Sequence, residues 1–99
     1  MITIKTINQR SRPVVMCDKC HEQITDADNA MVVLDAADGS CTRENPGFYH
    51  KDVCDPGFKV NAWIDLSRFL VNLLHNSGLS SHKLTAAVER SEHMIAMGL

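Results

Sequence analysis

Four side chains constrain this chain more than anything else in it: Cys17 and Cys20 with two residues between them, and His50 and Cys54 with three, in a total of 99 residues. Two residues between thiols let both sulfurs turn toward one point from a tight turn. Three residues between a histidine and a cysteine allow the same from the start of a helical turn. Four such donors close a tetrahedron, the arrangement of a structural zinc site, whereas a catalytic zinc keeps one position open. A domain this small buries roughly 60–65% of the surface its unfolded chain exposes, so its apolar core is thin and a metal's folding free energy matters. The expectation is one structural Zn²⁺ per chain, held by Cys17, Cys20, His50 and Cys54.

Charge supports a metal module over a nucleic-acid module in this region. Residues 18–55 hold nine acids against Lys19, Arg43 and Lys51, while residues 1–17 carry Lys5, Arg10 and Arg12 and no acid. Phosphate binding needs several Lys or Arg to displace counterions, and the cysteine-bearing stretch lacks them. Three thiolates and one Zn²⁺ leave a net negative charge, which Lys19 and Lys51 are placed to offset. The N-terminal stretch has no apolar core or small-residue cleavage site of the secretory kind, and no apolar run approaches the roughly 18 residues of a membrane span. A cytoplasmic location is therefore expected. In that reducing compartment clustered cysteines serve as ligands more often than as disulfides.

The stretches MCDKCHEQI (16–24) and FYHKDVCDP (48–56) resemble the zinc-ribbon and treble-clef small domains, and the first zinc site of a LIM domain. In those families a Cys-x2-Cys knuckle precedes a β-hairpin, and an aromatic-His-x2/3-Cys returns at a helix start. The resemblance covers residues 16–56. It implies Cys17, Cys20, His50 and Cys54 as ligands and little beyond a zinc site. LIM sites usually have one residue fewer between His and Cys, and no second zinc site follows, so LIM partner binding does not transfer. Many functions share this fold.

Other uses of the same residues are weaker. Cys17-Asp18-Lys19-Cys20-His21 is also the attachment pattern of c-type haem, with Met94 or Met97 as a distal ligand, but that chemistry needs export and leaves His50 and Cys54 idle. A dithiol of the thioredoxin kind opens a helix after a βαβ strand, and none is visible here. Cys41 is left over, as a strand residue or as a substitute for His50 in a four-cysteine site. His21 is expected to be exposed or near the ligands without binding.

The fold class expected is α+β: a single domain, 1–99, with a β-rich zinc module over 1–59 and a two-helix hairpin over 60–99. Strands are expected at 1–7 and 30–35, with an extended stretch ending at Phe48–His50 after the Asp38–Gly39 turn; 9–13 reads as a basic connector. Asn61 caps a helix to His75, closed by Asn76-Ser77-Gly78. Its polar residues (Asn61, Asp65, Arg68, Asn72, His75) form one narrow stripe. Ser80 caps a second helix to about Met97, with Leu84, Val88, Met94 and Ile95 inward and Glu89, Arg90, Glu92 and His93 outward.

The apolar helix around Trp63–Leu74 has more surface to cover than one thin core requires, so a protein partner or a homodimer is expected there. An alternative is a zinc-containing transcription regulator, because Leu73-Leu74 through Gly78 to Leu84 and Ala87 has helix-turn-helix spacing, with Arg10 and Arg12 supplying phosphate contacts. No glycine-rich phosphate loop, nucleophile elbow or zinc-deaminase signature is present, and no enzyme activity is expected.

Overall fold

The computed structural model describes residues 1–56 and 60–96, with side chains through residue 90. The chain runs β1 (Ile2–Ile7), β2 (Arg10–Val15), β3 (Ala30–Ala36), β4 (Gly47–His50), β5 (Val60–Asp65), α1 (Leu66–Asn76) and α2 (Ser81–Ala96), with a 3-10 turn at Ala27–Asn29 before β3. The fold is α+β, in two compact units, Met1–Phe69 and Leu70–Leu99.

In the first unit β3 is the centre of a three-stranded antiparallel sheet of order β4-β3-β5. Its sequence, AMVVLDA, opens with four consecutive buried residues, Ala30 to Val33. A strand covered on both faces requires such an uninterrupted apolar run. Val32 and Val33 have no exposed surface, and Leu66, Phe48 and Tyr49 are among the other buried side chains of this unit. The turn after β3 forms where Asp38-Gly39 marks it. Gly39 lies at φ +76°, and the Asp38 carboxylate accepts from the Ser40 amide at 2.9 Å.

Two expectations fail in this unit. The stretch 9–13 is no connector: β1 and β2 form a hairpin, with Ile4 opposite Pro13 and Ile7 opposite Arg10. Its two-residue turn, Asn8-Gln9, has φ of +52° and +65°, the backbone of a tight hairpin that Asn-Gly usually signals. Pro13 is tolerated because a two-stranded sheet consists only of edges. The second correction concerns Asn61, which caps no helix. Residues 60–65 are strand β5, pairing with β3 through Val32↔Ile64 and Val33↔Trp63, and helix α1 begins at Leu66. In β5, Val60, Ala62 and Ile64 alternate with the more exposed Asn61 and Trp63, a period of two that a fully buried strand would lack.

In the second unit the helix ends follow the sequence signals. Gly78 at φ +80° closes α1: its amide donates to the His75 carbonyl at 3.2 Å, and the Leu79 amide to the Leu74 carbonyl at 3.1 Å. That bond pair is the Schellman arrangement, which needs a left-handed residue at this position. Ser80 caps α2, its hydroxyl accepting from the Lys83 amide at 3.3 Å. Leu84 is half-buried, Val88 is 44% exposed, and Glu89 and Arg90 face solvent. Glu92, His93, Met94, Ile95 and Met97 lie outside the residues whose side chains are described.

Candidate metal centre

The first pair of ligands sits where β2 turns back on itself. After β2 an isolated bridge pairs Met16 with Gln23, and the Cys17 amide donates to the Glu22 carbonyl at 2.9 Å. Between them the chain makes a tight loop. The His21 amide donates to the Cys17 carbonyl at 3.0 Å, and His21 itself is left-handed at φ +62°. The Lys19 amide points at Cys17 Sγ from 3.4 Å, so the loop turns N–H groups toward the sulfur. His21 is exposed, and is not among the clustered ligands.

The second pair sits at the end of β4. His50 is its last residue, and a tight turn with Asp52 at φ +64° and a Val53 amide to Lys51 carbonyl bond of 2.7 Å brings Cys54 back beside it. The His50–Cys54 spacing is therefore realised by a left-handed turn and not by the first turn of a helix. Among the described residues, 51–56 form no helix, so the helix start that the family resemblance implies at this pair is not seen there.

A reciprocal clip joins the two arms across thirty residues of sequence. The Asp18 amide donates to the Phe48 carbonyl at 2.7 Å, and the Phe48 amide donates to Asp18 Oδ2 at 2.8 Å. Asp18 Oδ1 meets the Met1 ammonium at 3.1 Å. The Lys19 ammonium reaches the Asp55 carbonyl at 3.0 Å, strapping the residue between the first two cysteines to the residue after the last. Lys51, beside His50, donates to the Asp28 carbonyl at 3.0 Å and pairs with Asp65. Both lysines expected to balance the site's charge are thus placed as straps. Sequence reading missed Asp18, because a carboxylate inside a Cys-x2-Cys loop looks like any surface acid. Asp18→Ala removes the acceptor of a charge-assisted bond, worth about 1.5–3 kcal/mol, and lowers metal affinity roughly 10–100-fold. Asp18→Asn, which keeps an oxygen acceptor, retains most of it. A chelator competition titration reads the difference, and equal affinity in Asp18→Ala contradicts the role.

The arms bring the ligand atoms of Cys17, Cys20, His50 and Cys54 within 4.8 Å of one another, and Cys20 Sγ lies 3.5 Å from His50 Nδ1. A tetrahedron with bonds of about 2.3 Å to sulfur and about 2.0–2.1 Å to nitrogen has S···N edges near 3.6 Å, so the donor set fits a metal ion. Cys17 is 1% exposed and Cys54 5%.

Electrostatics point the same way. Burial pushes the Cys17 thiol up, but the backbone N–H groups of Cys20, His50 and Lys19, with the Cys20 side chain, outweigh it and bring the value down to about 6. Burial, the Cys20 and Cys17 side chains, and the charges on those sulfurs push Cys54 up to about 11. The surroundings thus favour the thiolate at Cys17 and disfavour it at Cys54, and a bound cation would offset the second effect.

Protons and metal compete for the same sulfurs, so affinity falls as pH falls. Cys17 is an acid whose folded-state value is depressed from 9.0, so its contribution to stability is present above that value and lost as pH falls through about 6. Weaker metal binding at acid than at neutral pH is therefore expected, followed with a colorimetric metal indicator, and an affinity that does not change between the two contradicts this.

Cys41 is outside the cluster. Its sulfur is buried and lies 3.7 Å from the Tyr49 hydroxyl. Burial, then Cys41, then the charges of Asp18 and Cys17 raise the Tyr49 phenol. A Cβ on Gly47 would come within 2.7 Å of Cys41 Sγ and of Tyr49 Cε2, so glycine is required at the start of β4. No family model matches the chain, and no curated protein or solved structure is significantly similar to it.

Proposed function

We propose that this chain is a structural-zinc protein that acts by contact with another protein chain and catalyses no reaction. The observation that carries the metal half is the cluster of three thiols and one imidazole within 4.8 Å. Sulfur-rich tetrahedral sets with one histidine suit Zn²⁺, and four protein donors leave no open position for a reacting water. The fold reading is ribbon-like more than treble-clef-like, since each ligand pair follows a strand and neither is followed directly by a helix. Thiolate ligands need a reducing compartment, which supports a cytoplasmic location. No described helix is long and apolar enough to cross a membrane.

The contact half is supported by apolar side chains left at the surface: Trp63 is 50% exposed, Val71 65%, Leu73 45% and Val88 44%. The apolar stretch around Trp63–Leu74 is divided between strand β5, in the first unit, and helix α1, whose residues from Leu70 on belong to the second. Elemental analysis of the purified, folded chain tests the reading, with one zinc per chain expected. A folded chain without metal overturns it.

A second reading, duplex DNA binding through α2, is favoured by one feature, the four-residue turn 77–80 with left-handed Gly78 between the helices. The described side chains of α2 offer Lys83 and Arg90 against Glu89, a small phosphate-binding charge. Salt-dependent retention of random duplex DNA separates the two readings.

A further inference from the structure

The β1–β2 ribbon carries a charge arrangement that works against its own pairing. Its register sets Lys5 directly opposite Arg12, and Arg10, two residues from Arg12 on the same strand, shares that face. Like charges directly opposite one another on paired strands are destabilising. No acid relieves them. Residues 1–17 contain none, and the ion pairs among the described residues, Met1 with Asp18 and Lys51 with Asp65, involve none of the three cations. The Arg12 Nε also has no hydrogen-bond partner among the described residues. Lys5 is exposed, and Arg10 and Arg12 are half-buried. Three uncompensated charges on one face of a ribbon call for an anionic partner.

Shape and composition narrow the partner. Strands β1 and β2 pair only with each other, outside the three-stranded sheet. Around the turn, Thr6, Asn8, Gln9 and Ser11 are exposed, polar and uncharged. Amide and hydroxyl side chains of this kind hold phosphates and read base edges. The major groove of B-form DNA, about 12 Å wide, admits a two-stranded ribbon, whereas that of duplex RNA is too narrow. An anionic bilayer suits the ribbon less well. Ile2, Ile4 and Pro13 lie on the face opposite the cations, so a flat surface cannot take both. An acidic protein segment would meet the cations and leave the amide tip idle.

We infer that the β1–β2 ribbon is an arm for duplex DNA, with Lys5, Arg10 and Arg12 on the phosphate backbone and the Asn8-Gln9 tip in the groove. This rests on the second reading above, duplex DNA binding, and moves its contacts from α2 to the ribbon. The four metal-cluster residues take no part in it.

Fluorescence anisotropy of a labelled random-sequence DNA duplex, titrated with the zinc-loaded full chain over a range of salt, tests it. Each phosphate contact contributes about −0.9 to the slope of log affinity against log salt. Lys5→Gln, Arg10→Gln and Arg12→Gln are each expected to make the slope shallower by about 1. Each also weakens binding roughly tenfold at about 50 mM salt, equally across sequences. Lys5→Glu separates binding from folding, because it places an opposite charge across from Arg12. It is expected to hold or raise the melting midpoint while lowering DNA affinity roughly a hundredfold. A midpoint and an affinity that fall together overturn the inference, since Lys5 is then only structural. Lys83→Gln with Arg90→Gln, on α2, is expected to leave binding unchanged. Binding lost in that pair and kept in the ribbon variants overturns the inference and leaves DNA binding to α2. No salt-dependent binding of the duplex at about 50 mM salt overturns both. Phosphatidylserine vesicles or polyglutamate bound as tightly as the duplex, with the same loss in Lys5→Glu, overturn the assignment to DNA.

Discussion

On the proposed metal reading, chelation, or replacement of Cys17 or Cys54 by serine, is expected to unfold residues 1–69 far more than it reduces helical content. Structural zinc contributes about 10–16 kcal/mol of apparent free energy in small modules, as much as the whole stability of a typical domain. The first unit has little to set against that loss. Its fully covered side chains are few and small, Val32, Val33 and Cys17 among them, and one of the three is itself a ligand. Without the ion the cluster also becomes a liability, since Cys54 must remain protonated beside the sulfurs of Cys17 and Cys20. The measurement is an amide NMR spectrum before and after chelation. Dispersed β-region peaks that persist in the stripped chain contradict the expectation.

Phe48→Ala is expected to cost about 3–5 kcal/mol and to lower the melting midpoint of the metal-loaded chain by roughly 10 °C or more. Phe48 is 4% exposed, and its ring meets that of Phe69 edge-on, with centroids 5.7 Å apart at 84°. Its backbone carries both halves of the Asp18 clip, and His50 lies two residues further along the same strand. The ring thus fixes the strand that presents one ligand and holds the loop that presents two. Phe48→Leu, which keeps most of the volume, is expected to lose much less. Thermal unfolding of the three proteins at equal zinc saturation reads the series. An unchanged midpoint in Phe48→Ala shows that the clip alone positions the arms.

The clustering of Cys17, Cys20, His50 and Cys54 was legible because metal chemistry restricts both residue type and spacing. Strand β3, the Asp38-Gly39 turn, the Gly78 stop and the Ser80 cap were legible for a similar reason: each depends on side chains or backbone freedom few residues supply. Strand β5 was not. Asn61, Asp65 and Arg68 fall at helical intervals while Val60, Ala62 and Ile64 alternate at strand intervals, so residues 60–65 are compatible with either period. Pairing with β3 decided between them, and that pairing depends on residues thirty positions away. The β1–β2 hairpin was hidden because Gln9 occupies a left-handed position where glycine would have announced the turn. The Asp18 clip was invisible for a different reason. Its partners are backbone groups of Phe48, and backbone partners leave no trace in composition.

The two ligand pairs have a consequence for the unfolded chain. An ion shared by Cys20 and His50 would close a loop of thirty residues, and a cross-link of that span would restrict the denatured ensemble by roughly 3–4 kcal/mol in the chain-entropy model of disulfides. The tether differs from a disulfide in what severs it. Reductant leaves it intact, while acid, a competing chelator or an oxidant of the thiolates opens it. On the proposed metal reading the persistence of this fold is tied to metal supply and proton activity, and a reducing environment protects the link it would destroy in a disulfide-stapled protein of the same size.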